Sequence, residues 1–374
     1  MPPHADHHAW ETFLARPQIA ADPATLRAAH EGKTILLTGA GGSIGSALAM
    51  RIAGFSPRRL VLLESCEDNL YQIHSELDRR AAPHLPILGD IADRPLLDAI
   101  FTRHRPEIVY HAAAFKHVPL MEENPLAAVR NNALGTWTLT QAAACHGAGR
   151  LVMISTDKAV DPQSVMGASK RVAELVLTAL GTEKTRMNSV RLGNVLGSQG
   201  SVGLLFLEQI RRGGPVTVTH PEVRRYFVTQ RETEDLVLTG ATLDSPGGVW
   251  VPDLGSPLKV LDLAEHLIRH AGLRPGVDIP VAFIGLRPGD KMTENLVSSR
   301  ETKEKVTGCA LQRTRYQNCS RENLGKALEN LTEILRRRDL ADLLRALARI
   351  VPEYQPSAAL VELAAASDIK ANRA

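Results

Sequence analysis

The sequence has few aromatic residues and almost no net charge. Aromatic residues make up 4% of the 374 residues, too few for a platform on which nucleic-acid bases stack. The 44 basic and 41 acidic side chains leave a formal net charge of +3, which argues against a polybasic nucleic-acid binder. Charged residues at 23% and hydrophobic residues at 44% are typical of a folded globular chain. The length fits one large domain or two ordinary domains.

Cysteines are also few, and long apolar runs are absent. The four cysteines are Cys66, Cys145, Cys309 and Cys319. Their wide spacing supports neither a zinc ribbon nor a disulfide framework, so a reducing compartment is expected. No apolar run reaches the roughly 18 residues of a membrane span, and the N-terminus lacks the apolar segment of a secretory signal. His4, His7 and His8 are interpreted as a polar terminus rather than as metal ligands. We therefore expect a soluble cytoplasmic protein with no metal centre, no membrane span and no nucleic-acid partner.

Short apolar segments alternate with helical segments over the first half of the chain. Strands are predicted at 34–38, 59–63, 85–88, 108–111, 151–155 and 189–192. Helices are predicted at 46–53, 69–80, 95–104, 126–145 and 166–180. This alternation predicts an α/β fold with a parallel sheet that is covered on both faces. Six strands in that order are typical of a doubly wound, dinucleotide-binding Rossmann fold.

The strand–helix alternation weakens after Gly193, where a second region is predicted to begin. We expect an N-terminal segment at 1–30 and a Rossmann domain at 31–193. A smaller substrate-binding lid is predicted at 194–355, with part of 240–262 returning to the Rossmann domain, and a tail at 356–374. Leucines at helical spacing, such as Leu324, Leu328 and Leu331, predict amphipathic helices near the end, which we interpret as packing elements.

A glycine-rich loop follows the first predicted strand and opens a helix. Gly39, Gly42 and Gly45 form its GxxGxxG pattern, and Ser43 and Ile44 lie in the same turn. Glycines permit a tight turn and let backbone amides approach a pyrophosphate, and the helix N-terminus adds partial positive charge. The loop has no Gly-Lys-Ser/Thr sequence and is therefore not a Walker phosphate loop. The pattern predicts a bound dinucleotide.

Further candidate cofactor residues follow the next three predicted strands. Glu64 ends the second strand, 19 positions after the last loop glycine. A carboxylate there bonds a ribose 2′-hydroxyl and repels a 2′-phosphate, which favours NAD over NADP. Asp90 and Ile91 follow the third strand, where Asp90 either meets the adenine or caps a loop. Ala112 and Ala113 follow the fourth strand and predict a wall of small residues along the dinucleotide.

Polar residues end the fifth predicted strand. Thr156, Asp157 and Lys158 follow it directly, and Lys170 comes twelve positions after Lys158. Because the carboxyl ends of parallel strands face the ligand crevice, these side chains are placed to meet a substrate. A surface ion pair between Asp157 and Lys158 is the alternative interpretation.

Longer motifs carry a resemblance to a known family. The motifs TGAGGSIGS, GDI, HAAAFKHVPLMEENP, NNALGT, ISTDKAV, VMGASKR, RLGNVLGSQGSV, RRYF and LRPGDK occur in this order. Together they resemble the extended short-chain dehydrogenase/reductase superfamily. More narrowly, they resemble the capsular-polysaccharide-type nucleotide-sugar 4,6-dehydratases that act on UDP-N-acetylglucosamine. The resemblance covers about residues 13–354, and the chain looks like the free-standing catalytic domain of larger, membrane-attached members.

The resemblance implies a role for each residue of the predicted catalytic region. The superfamily's usual catalytic tyrosine is replaced by Met166, which resembles the subfamily that retains configuration at carbon 5 of the sugar. By resemblance, Lys158 is the base and Asp157 the acid for water elimination. Thr156 would bond the 4-hydroxyl, and Lys170 would hold the nicotinamide ribose.

The resemblance also implies a set of substrate contacts. They are Lys116 and His117 near the sugar, Asn194 at the phosphates, and Arg225, Arg287 and Lys291 in the lid. Arginine forks suit a diphosphate, although solvated loop charges are the alternative interpretation.

The implied activity is a redox-neutral dehydration with tightly bound NAD. It would convert UDP-N-acetylglucosamine to UDP-2-acetamido-2,6-dideoxy-4-hexulose. Two alternatives stay open. One is a UDP-sugar epimerase on the same scaffold, and the other is a non-catalytic regulator that binds NAD(P). A homo-oligomer is expected from the superfamily.

Overall fold

A computed structural model describes residues 7–306, 308–316 and 321–371. His4 and Cys319 lie outside the described residues. The strands are β1 (Thr34–Thr38), β2 (Arg59–Glu64), β3 (His84–Leu88), β4 (Ile108–His111), β5 (Arg150–Thr156), β6 (Arg186–Leu192), β7 (Asn194–Val195), β8 (Val216–Val218), β9 (Arg224–Arg225), β10 (Phe227–Val228), β11 (Gly247–Pro252), β12 (Leu258–Lys259), β13 (Val281–Phe283), β14 (Glu301–Lys305) and β15 (Leu311–Tyr316).

The helices cover both faces of the sheet and build the second region. They are α1 (His7–Leu14), α2 (Pro23–His30), α3 (Ser43–Ala53), α4 (Glu67–Arg79), α5 (Arg94–His104), α6 (Val118–Glu123), α7 (Pro125–Val129), α8 (Thr136–Cys145), α9 (Val165–Leu180), α10 (Val202–Arg211), α11 (Gln230–Gly240), α12 (Val260–His270), α13 (Arg321–Arg337), α14 (Leu340–Ile350) and α15 (Ala358–Ala371). A π-helical turn (Arg130–Gly135) links α7 to α8, and a 3₁₀ turn (Asp157–Ala159) follows β5.

A nine-stranded sheet forms the centre of the fold. Its order is β14-β15-β11-β6-β5-β4-β1-β2-β3. The strands from β11 to β3 pair in parallel, whereas β15 and β14 add antiparallel pairs at one edge. Every residue of β1 and β4 is buried, as expected for parallel strands with helices on both faces. The doubly wound Rossmann fold predicted from the sequence is confirmed.

The sheet also takes strands from the second half of the chain. Strand β11 lies beside β6, within the range 240–262 that we expected to return to the Rossmann domain. The sequence pattern does not predict β14, because Glu301–Lys305 reads ETKEK and has no apolar alternation. Four of its five residues are exposed, and such charge on an edge strand discourages pairing with other chains.

The prediction of one continuous helix at 126–145 is wrong, because a π-helical turn separates α7 from α8. The π-helical turn between α7 and α8 holds the buried Asn132, whose side chain bonds both backbone groups of Phe115. Asn132 also donates to the hydroxyl of Ser169 on α9 at 3.1 Å. The widened turn thus ties this helix to the loop after β4.

Separate hydrophobic cores lie under the sheet and in the second region. The leucines of α13 and α14, as their spacing predicts, pack against α9. Trp10 of α1 packs with Phe206 of α10 and Leu263 of α12, away from the sheet. Within the described residues, no helix is long and apolar enough to cross a membrane.

Candidate active site

Close backbone contacts require glycine in the loop between β1 and α3 and in the first turn of α3. Gly39 has φ of +65°, and a Cβ there would lie 2.5 Å from the backbone nitrogen of Ala113. A Cβ on Gly45 would lie 2.0 Å from the carbonyl oxygen of Gly39. The loop therefore packs against the backbone after β4 at a distance that only glycine allows. Ala112 and Ala113 are half-buried beside it, as small wall residues would be.

The first turn of α3 offers its amide groups to a ligand. Gly42 is the N-cap, and no side chain caps this helix. Ser43 and Ile44 begin the helix, and the Ser43 hydroxyl accepts a hydrogen bond from the Gln199 amide at 3.0 Å. An uncapped helix N-terminus behind a glycine loop fits the pyrophosphate of a dinucleotide.

Glu64 is fixed at the carboxyl end of β2, next to the glycine loop. Its Oε2 accepts from the Gly41 amide at 3.0 Å, and its Oε1 accepts from the amides of Ser65 (2.9 Å) and Cys66 (3.1 Å). The side chain is buried. These bonds fix the carboxyl group beside the glycine loop, and its contact with a ribose stays a prediction.

Asp90 and Ile91 follow β3 and serve the loop itself. Oδ1 of Asp90 accepts from the amide of Ala92 at 2.8 Å, which matches the loop-cap interpretation. Its other oxygen lies 3.7 Å from a guanidinium nitrogen of Arg130. Ile91 is buried and packs where Gly135 of the π-helical turn leaves room.

Thr156, Asp157 and Lys158 form a connected group at the carboxyl end of β5. The Thr156 hydroxyl donates to Oδ1 of Asp157 at 2.9 Å. The Lys158 amine donates to the same Oδ1 at 2.9 Å and to Oδ1 of Asn194 at 3.0 Å. Asp157 is fully buried, so the pair is not the surface ion pair that was the alternative. Within the described residues, Oδ2 of Asp157 has no hydrogen-bond partner.

Met166 and Lys170 lie one turn apart near the start of α9, and Lys170 reaches β5. Met166 is 3% exposed, and a thioether neither donates nor takes a proton. The Lys170 amine donates to the carbonyl oxygen of Ile154 at 2.7 Å. Burial lowers the pKa of Lys170 to about 8, while the carboxylate of Glu174 opposes the shift. Lys170 thus places a positive charge behind the end of β5.

Two buried groups beside the site are absent from the sequence predictions. His111 at the end of β4 lies between the hydroxyls of Thr38 and Thr136, each at 2.8 Å. Burial, with a smaller contribution from the charge of Lys170, lowers the pKa of His111 to about 3. The second group joins α9, β6 and β14 by ion pairs of Glu174 and Glu301 with Arg171 and Arg191. Both groups are recognised only because their side chains are buried, and the sequence pattern does not predict that burial.

Lys116 and His117 meet a loop of the second region. The Lys116 amine donates to the Gln199 carbonyl oxygen at 2.7 Å. A Cβ on Gly200 would lie 2.7 Å from the His117 ring. Partial burial and the charges of Lys116 and Arg287 lower the pKa of His117. Through Gln199, this loop joins the glycine loop to the end of β4.

The three basic residues predicted in the lid do not converge on one point. Arg225 is buried and donates to the carbonyl oxygens of Arg224 (2.7 Å) and Met292 (3.3 Å). Arg287 is exposed and pairs with Asp290 at 2.9 Å. The Lys291 amine donates to the carbonyl oxygen of Val160 at 2.6 Å, just past the 3₁₀ turn. Lys291 and Asn194 therefore lie close to the Asp157–Lys158 group, while Arg225 is occupied by backbone oxygens.

Comparison with known proteins identifies the family. Residues 35–313 match the family described as polysaccharide biosynthesis protein. This chain belongs to that family. It is 46% identical over 296 residues to the capsular polysaccharide biosynthesis protein CapD of Staphylococcus aureus, an alignment that covers 78% of this chain and 49% of CapD. The chain thus spans about half the length of that relative.

Two other similar proteins are named for different activities. A UDP-glucose 4-epimerase of Rickettsia rickettsii is 32% identical over 283 residues, covering 72% of this chain and 79% of the relative. An inverting UDP-N-acetylglucosamine 4,6-dehydratase of Campylobacter jejuni is 29% identical over 276 residues, with the same coverage of 72% and 79%.

Solved structures share the scaffold. The X-ray structure of Pen from Bacillus thuringiensis has a TM-score of 0.69 and 26% identity, covering 80% of this chain and 99% of Pen. DesIV of Streptomyces venezuelae, a dTDP-glucose 4,6-dehydratase with NAD and TYD bound, has a TM-score of 0.62. At 21% identity over 71% of this chain and 88% of DesIV, the likeness shows a shared fold alone.

Proposed function

We propose that this chain is an NAD-dependent 4,6-dehydratase that acts on UDP-N-acetylglucosamine and retains configuration at carbon 5. Its products are UDP-2-acetamido-2,6-dideoxy-4-hexulose and water. The observation that carries the proposal is the Asp157–Lys158 pair, in which a buried carboxyl group and an amine lie together at the ligand end of β5. Water elimination needs an acid and a base side by side, whereas 4-epimerisation does not.

The Thr156–Asp157 hydrogen bond supplies a route for the first proton. Thr156 donates to Oδ1 of Asp157 at 2.9 Å. When the 4-hydroxyl of the sugar donates to Thr156 in turn, its proton passes to Asp157 as carbon 4 is oxidised. This transfer explains how oxidation proceeds with Met166 in place of a tyrosine. It also loads the carboxyl group with the proton needed later.

Elimination then uses both members of the pair. Lys158 takes the proton from carbon 5, which the new ketone acidifies. Asp157 gives its proton to the 6-hydroxyl, which leaves as water, and Lys158 returns a proton to carbon 5. The glycine loop and Lys170 would hold the nicotinamide cofactor, which would supply hydride transfer from carbon 4 to carbon 6. The 4-hydroxyl proton therefore leaves in the water, and no net oxidation remains.

Lys158 must be a neutral amine with its lone pair turned to carbon 5 before it acts as a base. Its amine donates to Asp157 and Asn194. A substrate that displaces the Asn194 oxygen, or bonds the Asn194 side chain itself, frees the amine to face carbon 5. Asn194 thereby couples substrate binding to the base.

The cofactor assignment is supported by the glycine cradle and Glu64. Gly39 and Gly45 let the loop pack closely on the backbone around it, and the uncapped first turn of α3 offers its amides to a pyrophosphate. Gly42, Ser43 and Ile44 would contact the pyrophosphate, and Glu64 would bond the ribose and disfavour NADP. Lys170 would hold the nicotinamide ribose.

The uridine diphosphate is proposed to bind between residues 31–193 and the lid region. Asn194 and Lys291 lie nearest the catalytic group, and Lys116 and His117 face the same crevice from the end of β4. Arg287 is exposed and free to turn from Asp290 toward a phosphate. The 4-epimerase from Rickettsia rickettsii supports a second candidate, a UDP-sugar 4-epimerase.

A product analysis separates the two activities. The full chain is incubated with UDP-N-acetylglucosamine without added cofactor, and products are followed by mass spectrometry. Loss of one water supports the dehydratase. Conversion without a change of mass, to a carbon-4 epimer, supports the epimerase and overturns the proposal. Unchanged substrate, also with NAD added, overturns both and favours a regulator.

A further inference from the structure

Three side chains of the kinds that bind metal ions, two histidines and one aspartate, converge at the edge of the central sheet, away from the active site. His74 and Asp78 lie one turn apart on α4, and His84 begins the edge strand β3. One donor atom of each residue lies within 4.8 Å of the others. The parallel strand β3 begins at His84, so the group lies at the amino ends of the strands. The catalytic residues lie at their carboxyl ends.

His84 is oriented as a metal-binding histidine would be. Its side chain is 4% exposed, and its Nδ1 lies 2.8 Å from the carbonyl oxygen of Ala82. Because a carbonyl oxygen only accepts, Nδ1 carries the proton and Nε2 presents a lone pair. A backbone bond of this kind fixes the ring and tautomer of most metal-ligating histidines.

The three side chains carry too few protons to place a donor in each of their close contacts. Nε2 of His84 lies 2.7 Å from Nδ1 of His74, so the proton of that hydrogen bond belongs to His74. In a neutral His74 the other nitrogen, Nε2, then has no proton. It faces Oδ2 of Asp78 at 3.4 Å, so two acceptors face each other. A cation in this position removes the conflict.

We propose that His74, Asp78 and His84 bind a divalent transition-metal ion of the zinc type. Two imidazoles and one carboxylate suit zinc, copper or nickel, whereas magnesium and calcium prefer oxygen ligands throughout. On binding, the ion takes the place of the proton between the two rings, and that proton moves to Nε2 of His74, where it donates to Oδ2 of Asp78. Water completes the coordination.

The present spacing needs only small adjustments. Tetrahedral zinc with bonds of about 2.0–2.1 Å places its ligand atoms roughly 3.3 Å apart. The contact between the two histidines must widen from 2.7 Å, and that between Asp78 and His84 must shorten from 3.7 Å. His74 and Asp78 lie on one helix face, and both are accessible enough for an ion to enter.

The bound ion would join the end of α4 to the edge of the sheet. Residues 80–83 form the turn between these elements, and Ala81 in it has φ of +51°. Because the three donors meet only in the folded chain, the metal stabilises the fold. The proposal does not depend on the dehydratase activity.

Zinc titration of the full chain tests the proposal. The background carries H4Q, H7Q and H8Q, so that the N-terminal histidines do not contribute. Calorimetry is expected to show one zinc per chain, and H74Q or D78N should weaken binding at least tenfold. The matched control is H146Q, since His146 pairs with Asp98 alone at 3.0 Å among the described residues. It should bind zinc as the background does.

A second readout keeps the test independent of any folding defect. Zinc should raise the unfolding temperature of the background and of H146Q, but not that of H74Q, and magnesium should raise none. Equal zinc affinity in the background and H74Q would mean adventitious binding and overturn the site. Absence of zinc binding in the background would overturn it too, and would leave a doubly protonated His74 paired with Asp78.

Discussion

Lys158 and Asn194 meet at the carboxyl ends of neighbouring strands, although 36 positions separate them in the chain. The Lys158 amine donates to Oδ1 of Asn194 at 3.0 Å and to Oδ1 of Asp157 at 2.9 Å. The proposed base is therefore held between an acid on its own turn and an amide after β6. Both its orientation and its release depend on these two oxygens.

Replacing Lys158 should separate oxidation from elimination. K158Q removes the proposed base, so product formation should fall by about 10²–10⁴-fold. Carbon 4 oxidation does not use Lys158, so reduced cofactor should accumulate and absorb in the near ultraviolet on substrate addition. K184Q, at an exposed lysine, is the control and should retain activity. Loss of cofactor reduction in K158Q together with product formation would contradict the separate roles.

Met166 should be replaceable, because its thioether takes no part in proton transfer. M166L conserves volume in a buried position and should keep activity within a few-fold. K170M, one turn later on the same helix, should lose most activity through weaker cofactor binding. Steady-state rates and cofactor content of both purified variants check this. An M166L variant as inactive as K170M would show that the sulfur itself is required.

Glu64 should set the choice between NAD and NADP. E64Q removes the negative charge at the ribose position while keeping a side chain of the same size. The ratio of NADP to NAD dissociation constants should fall at least tenfold, measured by reconstitution of cofactor-free protein. E67Q, at an exposed position in the first turn of α4, should leave the ratio unchanged. An unaltered ratio in E64Q would refute this role.

His111 should make the fold less stable in acid. Burial lowers the pKa of His111 to about 3 in the folded chain, whereas in the unfolded chain it returns to its ordinary value of 6.5. Between these values the unfolded chain binds the extra proton, so stability falls as pH drops through this window. The slope attributable to His111 approaches about 1.4 kcal/mol per pH unit. Denaturant unfolding of wild type and H111Q should show a shallower decline in H111Q. Parallel pH profiles would contradict the buried neutral state.

The buried ion pairs around Glu301 should matter far more than exposed ones on the same strand. Glu301 pairs with Arg191 at 2.6 Å and Arg171 at 2.9 Å, all buried. E301Q removes a buried counter-charge that both arginines share, leaving them Glu174 and, for Arg171, Glu353, and should cost about 3–5 kcal/mol of unfolding free energy. E304Q breaks the exposed pair with Arg315 and should cost about 0–1 kcal/mol. Similar losses in both variants would contradict this difference.

Strand positions follow from the sequence where burial is complete. The predicted strand 108–111 coincides with β4, and 34–38 coincides with β1, because both are continuous apolar runs. The apolar pattern does not predict strand β14, because its residues are charged and the strand forms by pairing with β15. The π-helical turn likewise arises from the contact of Asn132 with Phe115, which is a tertiary interaction.

The candidate site likewise contains some residues that local motifs predict and others that only the folded chain brings together. The glycine loop, Glu64 and the Thr156–Lys158 stretch follow from local motifs at strand ends. Partners distant in sequence do not, and the contact of Lys116 with Gln199 and the position of His111 depend on the folded chain. The basic residues of the lid show the limit most clearly, because Arg225 is held by backbone oxygens.

Proton NMR in deuterated water is the most direct test of water elimination by the Asp157–Lys158 pair. The purified chain is mixed with UDP-N-acetylglucosamine alone, and the sugar signals are followed as product forms. If Lys158 is the base, we expect a new 6-methyl signal, deuterium at carbon 5 and retained gluco configuration there, and K158Q should lose all three. A methyl signal that forms equally in K158Q, or a carbon-4 epimer without any methyl signal, would contradict elimination by the Asp157–Lys158 pair.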